Sequence, residues 1–67
     1  MAESNWKLCT DDILKKNEID PHKLKGKLGS AFDLYYEKGT GRVFAFPKGK
    51  PGFGPGEDMG VRVSRGI

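Results

Sequence analysis

The segment AFDLYYEKGTGRVFAFPK, residues 31–48, constrains the fold more than any other part of the chain. Two aromatic-rich arms flank Gly39-Thr40-Gly41, the pattern of a β-hairpin. Successive strand residues point to opposite faces. In the first arm Phe32, Leu34 and Tyr36 share one face, and Asp33, Tyr35 and Glu37 share the other. If Glu37 pairs with Arg42, the first set meets Val43 and Ala45. The second face then collects Arg42, Phe44, Phe46 and Lys48. A slip of one residue would exchange the two sets.

A two-stranded hairpin is marginal in water and needs more structure around it. Downstream, MGVRVSR supplies a third strand, with Met59, Val61 and Val63 inward and Arg62 and Ser64 outward. The Gly/Pro-rich stretch 47–58 between them is a connecting loop, with Phe53 as its anchor. Upstream, DPHKLKGKLG spells a short helix: Asp20 caps, Pro21 takes the first helical position and Gly29 stops it. Leu24 and Leu28 share its buried face. TDDILKKNE offers Thr10 as an N-cap, acids in the first turn and lysines later. Trp6, Cys9 and Ile13 follow helical spacing, so one helix is expected within residues 4–18. The expected fold is therefore α+β, with two N-terminal helices packed on a small three-stranded antiparallel sheet. It forms a single domain over 1–67: an N-terminal helix region at 1–18, then the basic helix and sheet at 19–67. The sheet face away from the helices is expected to stay open, lined by Tyr35, Arg42, Phe44 and Arg62.

A 67-residue chain makes one small domain that buries only about 60% of its unfolded surface. Cys9 is the only cysteine and His22 the only histidine, so an intrachain disulfide and a structural zinc set are both excluded. No apolar run is long enough to span a membrane, and the N-terminus lacks the regions of a signal peptide. The charge is uneven. Residues 1–20 carry three lysines against five acids, or −2, and residues 21–67 carry nine basic residues against four acids, or +5. That favours a polyanionic partner such as nucleic acid, and also suits an acidic protein.

RNA cleavage by transesterification needs no metal or other cofactor. It needs a base for the 2′-hydroxyl, an acid for the leaving 5′-oxygen, and cations for the charge that builds on phosphate. The catalytic candidates are His22 as acid/base, Lys25 as its electrostatic partner, Arg42 on phosphate, and Tyr35 to position a base or assist proton transfer. Lys23, Lys27, Phe44, Lys48 and Arg62 are the candidates for nucleic-acid contact. Tyr35 or Phe44 would stack an unpaired base. With Leu24 and Leu28 buried, His22 and Lys25 are expected to project toward the open sheet edge, near Arg42 or Arg62. A plainer reading stands beside this one. A histidine in a first helical turn is more often a surface residue, lysines 23, 25 and 27 make a solvated face, and the tyrosines are cross-strand packing residues.

Three motifs carry a resemblance to a known family. They are the D-x-H-x-x-K of Asp20, His22 and Lys25; the strand Phe32-Asp33-Leu34-Tyr35; and the return arm Thr40-Gly41-Arg42-Val43-Phe44 with its Gly/Lys-rich loop. Over roughly residues 18–56 the chain resembles the C-terminal toxin domains of bacterial polymorphic toxins, most closely polymorphic toxin type 33. It departs from that pattern in the added Pro and Gly of GKPGFGPGED. The resemblance implies a soluble ribonuclease of the barnase–EndoU–colicin–RelE type, secreted or delivered into the cytoplasm of a target bacterium and neutralised by a cognate immunity protein. The expected function is a metal-independent endoribonuclease acting on transfer or ribosomal RNA. The alternatives are a non-catalytic nucleic-acid-binding module and an interaction domain for an acidic protein.

Overall fold

A computed structural model describes residues 5–26 and 28–66. Along the chain run β1 (Trp6–Leu8), α1 (Asp11–Lys16), α2 (Pro21–Lys25), β2 (Phe32–Glu37), β3 (Arg42–Pro47) and β4 (Glu57–Arg62). The four strands form one sheet in the order β1-β2-β3-β4, and every neighbouring pair is antiparallel. The hairpin pairs Leu34 with Ala45, Tyr36 with Val43 and Tyr35 with Phe44, the register that alternation requires.

The first strand corrects the expected architecture. The fold is a small, β-rich α+β domain with four strands and two short helices, not two helices on three strands. Trp6, Cys9 and Ile13 have helical spacing, but Trp6 lies in a strand opposite Glu37. Its indole packs edge-on against Phe46, with ring centroids 4.7 Å apart, and against Phe44 at 5.2 Å. Cys9, three residues on, enters the helix-side core instead. Two separate apolar environments, one on each side of the sheet, imitate a single helical stripe in the sequence.

Local chemistry explains the helices. Thr10 accepts a hydrogen bond from the Ile13 amide at 3.3 Å, one of the donors that a helix start leaves without a partner. The far end of α1 closes with Glu18 at φ +60°. There the Glu18 amide donates to Lys15 O at 3.1 Å and the Ile19 amide to Leu14 O at 2.9 Å, the pairing of a Schellman turn. In α2 the Asp20 carboxylate accepts from the His22 amide at 2.9 Å, and Pro21 opens the helix. The helix is capped at Gly26, not at Gly29, because glycine carries the second-lowest helical propensity and ends so short a segment at once.

The helices cover one face of the sheet. Cys9, Leu14, Leu34, Tyr36, Val43, Ala45 and Val63 are buried there, with Ile13, Leu24, Met59 and Val61 packed around them. The opposite face is also closed, contrary to expectation: Tyr35 is only 6% exposed and Phe46 1%. The Gly/Pro-rich segment lies across it. The Gly49 amide donates to the Tyr35 hydroxyl at 3.1 Å, and Gly52 abuts the Trp6 indole. Gly56 has φ +67° and lies so close to the Phe46 ring that a Cβ would collide with it. Only glycine meets both demands. Phe53, the expected anchor of this segment, is 65% exposed.

Asn17 ties the C-terminal segment to α1. Its Oδ1 accepts from the amides of Ser64 at 2.8 Å and Arg65 at 3.0 Å, and its Nδ2 donates to Ile13 O at 2.7 Å and Arg65 O at 3.0 Å. Partly exposed hydrogen bonds each contribute only ~0.5–1.5 kcal/mol net. Asn17→Ala should therefore lower unfolding free energy by about 1–3 kcal/mol in urea titration. Asn17→Asp keeps the acceptor, loses the donor and should fall between wild type and alanine. An Asn17→Ala protein as stable as wild type would show that this tie does not hold the C-terminal segment.

Candidate active site

The start of α1 and the last residue of α2 meet through an ion pair. The Lys25 ammonium lies 2.7 Å from Asp11 Oδ1, and both side chains are about half exposed. The hydrogen bond from Lys25 is the main reason the Asp11 carboxyl titrates below its ordinary value. Desolvation opposes it, and the charges of Lys25, Lys15 and His22 add to it. His22 and Lys25 stand one turn apart on α2. Asp11 thus feels both candidate groups.

Lys25 also lines a cleft of about 330 Å³ with Ser30, Phe32, Asp33 and Lys48. The cleft sits where the chain leaves α2 and enters β2. The Lys48 amide donates to Ala31 O at 3.0 Å, which fastens the end of β3 beside the start of β2. The Asp33 carboxylate accepts from the Leu34 amide at 3.0 Å. Cys9 lies buried nearby. Burial pushes its thiol up to about 11 from 9.0; Lys25 works against the rise, and Asp11 and Asp33 add to it.

The candidates fall into two groups. Lys25 and Lys48 line this cleft, while His22 stands one turn before Lys25 on α2 and is not part of the lining. Tyr35, Phe44, Arg42 and Arg62 belong to the other face of the sheet. Tyr35 is buried there with its hydroxyl engaged by Gly49, and Phe44 is half-buried against Trp6. Arg42 and Arg62 are exposed and directly opposite each other across β3 and β4. They flank a hollow of about 150 Å³ with Asp58 and Gly60. The expected approach of His22 and Lys25 to these arginines does not occur, because Arg42 alternates with the core residue Val43 and so faces away from the helices.

Lys23 lines a third hollow, of about 730 Å³, among the carboxylates of Glu18, Asp20, Glu57 and Asp58. Lys27 lies outside the described residues. Among those described, the hydrogen bonds of His22 are made by its main chain, with Asp20 and Gly26. No three His, Cys, Asp or Glu side chains converge on a metal position among the described residues. Sequence reasoning missed Asp11, whose first-turn position has a sufficient explanation in the helix dipole. It also missed Asp33 and Phe32, which point to the cleft only once α2 is docked.

A small β-rich domain with a cationic cleft beside a short basic helix is the class of protein that this fold and site define. The family model for bacterial toxin 33 matches residues 4–64, and the chain belongs to that family, the type 33 polymorphic toxin domains. No curated protein and no solved structure matches it. Among the described residues no helix is long and apolar enough to cross a membrane.

Burial of Cys9 generates a prediction. Its folded pKa is raised, so the thiol keeps its proton while the unfolded chain loses one above pH 9.0. This contribution to stability is present below pH 9.0 and is lost as pH rises toward about 11. At a pH of about 8 the native thiol should resist iodoacetamide and react only on denaturation. Rapid labelling of the folded protein would contradict the assigned core.

Proposed function

We propose that this toxin domain is a metal-independent endoribonuclease that cleaves RNA by acid/base transesterification, with its reaction centre at the His22–Lys25 turn. The observation that carries the proposal is the placement of Lys25. It is fixed by Asp11, stands one turn from His22 and lines the same cleft as Lys48.

In this mechanism His22 takes the proton of the 2′-hydroxyl. Imidazole is the side chain best suited to exchange a proton near neutral pH. The 2′-oxygen then bonds to phosphorus, the bond to the 5′-oxygen breaks, and that oxygen takes a proton from water in the open cleft; the hydroxide so formed is neutralised by the proton that leaves the His22 imidazolium. The products are a 2′,3′-cyclic phosphate and a 5′-hydroxyl. Lys25 and Lys48 would offset the charge that develops on the non-bridging oxygens. Asp11 limits the freedom of Lys25, so less entropy is lost when phosphate binds. Arg42 and Arg62 would serve as an outlying phosphate contact that positions the strand, and Lys23 and Lys27 are proposed as further backbone contacts. Tyr35 and Phe44 would shape the far face rather than touch the reacting atoms. Transfer and ribosomal RNA are the proposed targets, reached inside a competing bacterium. Membership of the toxin family implies a cognate immunity protein as partner.

A non-catalytic RNA-binding module is the second reading. It is favoured by one feature: among the described residues no side chain orients the His22 ring by a hydrogen bond. One experiment separates the two. Purified protein should degrade RNA in the presence of EDTA, and His22→Ala should lose at least ~100-fold in rate, the scale of an acid/base group. Lys25→Gln should also be impaired, with both variants folded by circular dichroism. RNA binding without cleavage would select the second reading. Activity lost to EDTA and restored by Mg²⁺ would sink the metal-independent mechanism.

A further inference from the structure

Among the described residues three large apolar side chains are exposed: Leu8 at 48%, Phe32 at 44% and Phe53 at 65%. Two of them line one groove. Phe32 and Phe53, with Pro47 and Pro55, border a space of about 370 Å³ with a mainly apolar lining. Phe32 also lines the cleft that holds Lys25 and Lys48, so the groove and the cationic cleft adjoin at this side chain. Lys50 stands 5.5 Å from the centre of the Phe53 ring, which places a further cation at its rim. Phe53 is presented by two successive tight bonds, Lys50 N–H to Pro47 O at 2.9 Å and Phe53 N–H to Lys50 O at 3.1 Å.

We propose that this groove is a stacking subsite for one unpaired RNA base, adjoining the phosphate bound at Lys25 and Lys48. The inference rests on the RNA reading above and names the form of RNA it takes: single-stranded at the site of contact. Water-exposed phenyl rings beside lysines match the two needs of an unpaired nucleotide, a flat apolar surface for the base and positive charge for its phosphate. A duplex keeps its bases stacked on one another and has nothing to place in the groove. Tyr35 and Phe44, the stacking candidates of the sequence, are enclosed against Trp6 and Phe46. Phe32 and Phe53 take over that role.

The test uses a fluorescently labelled single-stranded 2′-O-methyl RNA, which has no free 2′-hydroxyl and cannot be cleaved. Its affinity is read by anisotropy. Phe53→Ala should weaken binding about tenfold, within the range of one lost base–aromatic stack, while Phe53→Tyr retains it. The slope of affinity against salt should be the same in Phe53→Ala and wild type, because no charge is removed. Phe32→Ala should weaken binding similarly and provides a second variant. An equivalent duplex should be indifferent to both alanine substitutions. Wild-type-like binding of the single strand by both alanine variants, an equal loss for the duplex, or no binding by wild type would overturn the subsite. If cleavage of ordinary RNA is absent but Phe53-dependent binding is present, the nuclease mechanism fails and the subsite stands. If ordinary RNA is cleaved but neither phenylalanine affects binding, the subsite fails and the nuclease mechanism stands.

Discussion

The pairing of β2 with β3 governs the whole molecule. Because Leu34 lies opposite Ala45 and Tyr36 opposite Val43, one face of the sheet is aliphatic enough to hold two short helices. Because Tyr35 lies opposite Phe44 and Asp33 opposite Phe46, the other face is aromatic. A domain of this size cannot leave an aromatic face wet without losing much of its apolar burial. The Gly/Pro-rich segment closes it, and Trp6 from the added first strand completes the cluster. One register thus creates two small cores on opposite sides of a single sheet.

Closing both faces moves the available chemistry to the ends of the strands. At one end Arg42 and Arg62 face each other, an arrangement of like charges that does not help the sheet. At the other, α2 delivers Lys25 and the end of β3 delivers Lys48 to one cleft. The two positive regions are separated by the sheet itself. A bound strand that touched both would have to pass around its edge. The proposed centre of chemistry is the cleft, because Lys25, which lines it, is paired with Asp11 and stands one turn from His22 on α2. The Asp11–Lys25 pair is exposed enough that its value lies in positioning rather than in stability.

What was legible in the sequence was local. Thr10 and Asp20 declare their caps because a capping side chain reaches an amide only two or three residues away. The hairpin register follows from alternation on either side of a short glycine-containing loop. Family membership was legible too, from the Asp20, His22 and Lys25 motif and the two hairpin arms. Trp6 was not, because residues that belong to opposite sides of the sheet happen to be spaced like one helical face. The fate of Tyr35 was hidden as well. A segment with so many glycines looks like a free connection until Gly49, Gly52 and Gly56 are seen packed against aromatic groups. Lys25 and Asp11 are 14 positions apart, a contact set only by the docking of two helices.

We propose that RNA is engaged at the α2–β2 cleft rather than at the paired arginines. The most direct measurement is an amide chemical-shift titration of the ¹⁵N-labelled domain with an uncleavable single strand. The largest shifts are expected at Lys25, Ser30, Phe32, Asp33 and Lys48, with smaller ones at Arg42 and Arg62 and little change at Val43 or Leu14 in the core. Shifts concentrated at Arg42, Gly60 and Arg62, with the cleft unmoved, would contradict the claim.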